Sequence, residues 1–131
     1  MEISREDKEI IKQHSTFLLN SGYLLYEDEF LEFVKKDIKI QVAYSYQEGG
    51  VNVFFQEPYS CFSVGWLYYY LEKSKYEEFI KVKREKLEHV IFELDFLKNN
   101  FENLTNYDFC KKTQNENQMD ISDIDPNSFD L

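Results

Sequence analysis

Ile38-Lys39-Ile40-Gln41-Val42-Ala43-Tyr44-Ser45-Tyr46-Gln47-Glu48-Gly49-Gly50-Val51-Asn52-Val53-Phe54-Phe55 is the stretch from which the fold is read. Across 38–46 large apolar side chains alternate with small or polar ones, the period of a strand that buries one face and wets the other. After Glu48-Gly49-Gly50, where glycines supply the positive φ of a tight turn, Val51, Val53 and Phe55 resume the alternation. The two runs predict an antiparallel hairpin.

Working outward, Pro58 separates this hairpin from Phe62, Val64, Trp66, Tyr68 and Tyr70, which alternate with Cys61, Ser63, Gly65, Leu67 and Tyr69. That pattern predicts a further strand of a meander. Upstream, 30–35 suits a preceding strand, although Glu27-Asp28-Glu29 also suits the acidic first turn of a short helix. Three strands are the minimum and four the expected number. Ser4 with Asp7 at the third following position reads as a helix N-cap, and Ile10, Ile11, His14, Phe17 and Leu18 recur at helical spacing, predicting a helix over 5–20.

Beyond Ser74 the apolar period becomes helical: Tyr76, Ile80, Lys83, Leu87, Val90, Leu94, Leu97, Phe101 and Leu104 stand four and three apart. One helix over 75–104 would be about 45 Å long at 1.5 Å per residue, so it should overhang the sheet or break near Asn99-Asn100. The heptad-like spacing also permits a dimer seam, interrupted by Lys83. The expected architecture is α+β, an antiparallel three- to four-stranded meander with both helices on one face, in the order αββββα. Residues 1–110 are expected to form this single domain. Residues 111–131, rich in Gln, Asn, Asp and Ser, read as an acidic, poorly ordered tail whose Met119, Ile121, Ile124, Phe129 and Leu131 suit docking as an extended peptide.

Composition narrows the function classes. The 131 residues fit one core, and 43% hydrophobic with 18% aromatic residues is ample material for it. A formal net charge of −10 disfavours direct binding to nucleic acid or to an anionic membrane, and it favours encounter with a basic protein. The N-terminal stretch bears Glu2, Arg5, Glu6 and Asp7 with no apolar leader, and no apolar run approaches the roughly 20 residues of a membrane span. Cys61 and Cys110 lack any close Cys or His partner. A reducing cytoplasm with both thiols free is the expected setting.

Catalytic signatures do not emerge. His14 reads as a helix-face residue beside Phe17 and Leu18, and His89 lies on the charged side of the predicted long helix, so neither is assigned as a general base. No clustered His and Cys suit a metal, and Asp120, Asp123 and Asp125 lack the central Gly and terminal Glu of a calcium loop. Gly22, Gly49, Gly50 and Gly65 compose no phosphate-cradling or nucleophile-elbow motif. Glu77-Glu78, the pair a glycosidase would need, sits on a charged helix face. The expectation is therefore a chain with no catalytic residues, no metal and no cofactor.

Binding is the reading that remains. The aromatic run includes the single Trp, and Trp66, Tyr68, Tyr69 and Tyr70 are candidate anchors, because Tyr and Trp bury large area with few rotatable bonds. Core packing is the competing role for each of them. Glu48 and Glu57, at the hairpin and the loop after it, are candidate acidic rims, with Tyr69 the expected anchor of the joined surface. A second acidic cluster comprises Glu27, Asp28, Glu29 and Glu32, and residues 1–32 hold eight acidic against three basic side chains.

Residues 38–46, Gly49-Gly50, residues 51–55 and the string Phe62-Ser63-Val64-Gly65-Trp66 resemble small immunity proteins of bacterial polymorphic toxin systems, over roughly 30–104. The resemblance implies a cytosolic antidote that binds the toxic domain of a cognate toxin, often a nuclease, and blocks its active site or the approach of its substrate; a monomer is expected ahead of a homodimer. A homodimeric regulatory protein using the long helix as its seam, and a small enzyme, are the alternatives from other classes.

Overall fold

In the computed structural model, which describes residues 2–44 and 49–117, the alternating stretch forms the middle of a five-stranded antiparallel meander. Its strands are β1 (Leu24–Glu27), β2 (Leu31–Lys35), β3 (Ile38–Tyr44), β4 (Gly49–Phe55) and β5 (Ser60–Ser63), lying side by side in chain order. The helices are α1 (Arg5–His14), α2 (Thr16–Asn20), α3 (Val64–Leu71), α4 (Lys73–Ile80), α5 (Lys86–Asn99), α6 (Phe101–Leu104) and α7 (Tyr107–Glu116). The expected α+β class holds, with one more strand than the expected four and with shorter, more numerous helices.

Register explains why one face of the sheet is the core. Phe33 stands opposite Ile40, Ile40 opposite Val53 and Val53 opposite Phe62, while Leu31, Val42 and Val51 form the neighbouring row. All seven are buried, and they join Ile11, Leu18, Leu67, Val90, Leu94, Leu97 and Leu104 in a single cluster. Full burial of each such side chain is worth roughly 1.5–3 kcal/mol. The helices thus pack on the face that the alternation turns inward. On the other face, Leu24, Val34, Lys39, Phe54 and Cys61 form a row across all five strands. There Lys39 bridges Glu32 at 2.8 Å and sits 4.7 Å from the Phe54 ring centroid.

Gly49 and Gly50, expected in the turn, pair instead with Tyr44 and Ala43 inside the β3–β4 ladder. Ser45, Tyr46, Gln47 and Glu48 lie outside the described residues. The Ser4 cap is present as read, with the Asp7 N–H donating to Ser4 Oγ at 3.2 Å. The first helix nevertheless breaks before Asn20. Ser15 is fully buried and its hydroxyl donates to the Ile11 carbonyl at 2.7 Å, so the side chain competes for an acceptor of the helical ladder at the point where α1 gives way to α2.

The predicted long helix is three helices. α5 ends at Asn99 with Asn100 as its cap, at the expected break. A second interruption, between α4 and α5, was not anticipated. There Glu88 reaches back to the Glu85 N–H at 3.4 Å and starts a new helix at Lys86. Val90, Leu94 and Leu97, expected on a continuous stripe, are fully buried in the domain's own core, so the dimer seam is spent within the chain. The fold also continues past the expected boundary at 110, because α7 runs to Glu116 and buries Cys110, Thr113 and Gln114. The remaining expected tail, residues 118–131, lies outside the described residues.

Candidate interaction surface

The segment expected to be a third alternating strand changes conformation midway. β5 stops at Ser63, whose Oγ accepts from the Trp66 N–H at 3.3 Å, and the capped chain coils into α3. This corrects the strand reading of 62–70. In a helix the aromatic side chains sort by three- and four-residue spacing, so Val64, Leu67 and Tyr68 face the core while Trp66, Tyr69 and Tyr70 share the outward side.

Trp66, 42% exposed, forms the centre of that side. Its ring centroid lies 6.3 Å from Tyr69 in an edge-to-face arrangement and 6.1 Å from Tyr70, and Tyr69 and Tyr70 are 6.0 Å apart. Tyr69 also meets Tyr76 of α4 at 5.9 Å and carries the Lys73 ammonium 5.6 Å from its centroid. Burial raises the Tyr70 phenol above its ordinary pKa, with its neighbour Tyr69 adding to the effect. The Tyr70 hydroxyl therefore stays neutral and able to donate at neutral pH.

Tyr68 does not belong to this surface. It is buried, stacked on Phe96 at 3.9 Å and on Phe92 at 4.6 Å, and Phe92 stacks in turn on Phe79 at 3.7 Å. The expected partner role of Tyr68 gives way to a core role that holds α3 against α5. The outward rings are consequently mounted on a rigid aromatic stack, which lowers the entropy lost when a partner immobilises them.

Of the two acidic rims expected beside the aromatics, Glu57 is placed elsewhere. Glu57 is exposed in the turn after β4, at the opposite end of β5 from α3. Glu48 lies outside the described residues. An open groove of about 180 Å³ lined by Val34, Ile38, Lys39, Phe54 and Tyr59 is found at the Glu57 end, on the helix-free face of the sheet. The second cluster does assemble: the Ile3 N–H donates to the Glu29 carbonyl at 3.0 Å, bringing the start of α1 against the β1–β2 turn. Exposed Glu9 and Glu27 are joined there through Lys12, which pairs with both and whose pKa is raised first by Glu27 and then by Glu9, and the Lys8 ammonium donates to the carbonyl of exposed Asp28. Glu32 is excluded from this patch by its bridge to Lys39.

Of the titratable groups weighed for chemistry, His14 Nδ1 faces Asp95 at 3.9 Å and the His89 ring lies edge-on to Phe79 at 5.1 Å. Among the described residues no three His, Cys, Asp or Glu converge as metal ligands, and no helix is long and apolar enough to cross a membrane. Cys61 and Cys110 are both free. Sequence reasoning missed Lys73 and Tyr76 as neighbours of the aromatic side, because a strand reading carried the chain away from α4. The recurrence of Val64, Leu67, Tyr68 and Leu71 at helical spacing was the available signal. Neither the family models, the curated proteins nor the solved structures compared with this chain contain a match to it.

Proposed function

We propose that the chain is a non-catalytic, cytoplasmic binding protein, an immunity protein that neutralises a cognate basic toxin domain, often a nuclease, by stoichiometric binding. The observation that carries this reading is the solvent-facing cluster of Trp66, Tyr69 and Tyr70 on α3, anchored from behind by Tyr68, Phe92 and Phe96. Pre-positioned Trp and Tyr rings are the usual source of hot-spot energy, since truncating one costs about 2 kcal/mol or more. The acidic patch at the start of α1 supports the basic character of the partner. Its charges raise the association rate and make that rate salt-dependent, while the rings set the lifetime of the complex.

The test is a dose titration against a toxin domain encoded next to this chain. Inhibition that saturates near equimolar amounts, and that Trp66→Ala weakens through a faster off-rate, supports the reading. Rescue at strongly substoichiometric amounts identifies an enzyme instead. Unchanged binding by Trp66→Ala and Tyr70→Ala together moves the interface off α3.

A further inference from the structure

β1 forms one edge of the sheet, and among the described residues no backbone hydrogen bond joins it to any segment but β2. Half of an edge strand's N–H and C=O groups point away from its neighbour, and they template a further strand unless the edge is blocked. Leu24-Leu25-Tyr26-Glu27 holds no Lys, Pro or bulge that would block it.

The two sides of this edge differ in chemistry. Leu24 and Tyr26 stand in the rows of Val34 and Glu32, on the helix-free face, and are 63% and 57% exposed. Leu25 and Glu27 stand in the rows of the buried Phe33 and Leu31, on the helix side. There α1 supplies Glu9, joined to Glu27 through Lys12. Asp28 and Glu29 follow at the end of the strand, exposed and without an ion pair among the described residues. The nearby cations are engaged: Lys12 with its two carboxylates, Lys8 at the Asp28 carbonyl, and Lys35 at the Ser21 carbonyl, 2.6 Å away. An incoming strand therefore meets apolar surface on one face and net negative charge on the other and at its end.

We infer that β1 is a docking edge for a partner protein, which adds an extended segment of alternating apolar and basic residues as a further strand, its apolar side chains on Leu24 and Tyr26 and its cations toward Glu27 and Glu9. Main-chain hydrogen bonds hold such a strand, and its alternate side chains select it. Charge decides the occupant, because a second copy of this chain would bring another net charge of −10 to the same edge. β1 and β5, the strand that leads into α3, are opposite edges of the sheet, roughly 19 Å apart at about 4.8 Å per strand. Occupation of this edge is thus independent of the aromatic surface on α3.

The probe is a short synthetic peptide of alternating lysine and valine, titrated into the full chain and followed by amide NMR. The expected result is a shift of the Leu24–Glu27 amides. With the peptide at about ten times its Kd, the outward amides of β1 should exchange about tenfold more slowly, since about a tenth of the edges stay open. Leu24→Ser with Tyr26→Ser, both at exposed positions, should weaken binding about tenfold and leave the urea midpoint unchanged. The same peptide methylated at every backbone nitrogen keeps its charges and side chains but has no N–H to donate, so it should not shift β1. Equal shifts by the methylated peptide would reduce the binding to charge adsorption and overturn strand addition. Equal binding of a glutamate–valine peptide would overturn the basic occupant. Shifts centred on α3 or β5, or no shift at any soluble peptide concentration, would overturn the docking edge itself.

Discussion

The Glu93 carboxylate holds the backbone of β4: its Oε1 accepts from the Val51 N–H at 3.2 Å. Val51 lies just beyond the ladder with β5, which begins where Asn52 faces Ser63, and past Ser63 the chain has turned into α3. A side chain of α5 therefore serves a backbone donor at the place where the sheet loses a neighbour. Glu93 is 7% exposed, so Glu93→Ala leaves that donor without this acceptor in a dry setting. A loss of about 1–3 kcal/mol is expected, with a smaller loss for Glu93→Gln, whose amide oxygen still accepts. Urea unfolding checks the order, and equal losses for the two variants would exclude the hydrogen bond as the cause.

Gly65 is coupled to the same carboxylate. A Cβ there would stand 3.3 Å from Glu93 Oε1 and 3.4 Å from the Tyr76 hydroxyl oxygen. Alanine in a helix ordinarily gains about 1 kcal/mol over glycine. In the native background Gly65→Ala is expected to destabilise, because Glu93 is tied to Val51 and cannot move aside freely. In the Glu93→Ala background the same substitution should recover the helical gain. A double-mutant cycle measures the coupling, and simple additivity within about 0.5 kcal/mol would refute it.

Tyr68 and Trp66, two residues apart on α3, should separate stability from binding. Tyr68→Ala removes a ring stacked on Phe92 and Phe96 and is expected to cost about 3–5 kcal/mol, in the range of large aromatic deletions. Trp66→Ala, at a half-open position, should change stability by no more than about 1 kcal/mol. Trp66 is also the only tryptophan, so fluorescence of the native chain reports directly on this surface. Seating a partner there should shift the emission to the blue and reduce quenching by acrylamide. An unchanged spectrum in a saturated complex would place the interface elsewhere.

The central sheet was legible because its signal is periodic and local. Ile38, Ile40 and Val42 face Val51, Val53 and Phe55 in register, and one buried face is enough to impose the alternation. The same rule failed across 62–70, where nearly every side chain is apolar or small and period two and period 3.6 fit equally well. The deciding atom was Ser63 Oγ, a cap whose partner is the Trp66 backbone and which carries no sequence pattern of its own. β1 escaped notice because, as an edge strand with Leu24 and Tyr26 exposed, it does not alternate between core and water. The acidic patch was legible as composition and the aromatic surface as content. The separation of Glu57 from the rings was not, since it depends on the chain coiling into α3 past Ser63 and so away from the β4–β5 turn.

Burial of the two thiols is expected to make the fold less stable as the solution becomes alkaline. Desolvation pushes the Cys110 thiol up to about 12 and the Cys61 thiol up to about 11, the latter opposed by the nearby Lys39, from an ordinary value of 9.0. Between pH 9 and these values the unfolded chain has lost thiol protons that the folded chain still holds, so stability falls as pH rises. The contribution is intact below about pH 9, and it declines by at most about 1.4 kcal/mol per pH unit for each thiol until the folded form also ionises. Tyr23, Tyr44, Tyr68 and Tyr70, whose pKa values are also raised with burial the leading cause, add to the decline above pH 10. Cys61→Ala with Cys110→Ala should therefore flatten the fall in urea stability between pH 9 and 11 relative to the native chain. At pH 8 the native thiols should alkylate far more slowly than in 6 M guanidinium, because the thiolate is the nucleophile and burial suppresses it. If the stability curves of native and variant chains instead run parallel through that window, the thiols carry no burial penalty, and the alkaline loss belongs to the tyrosines alone.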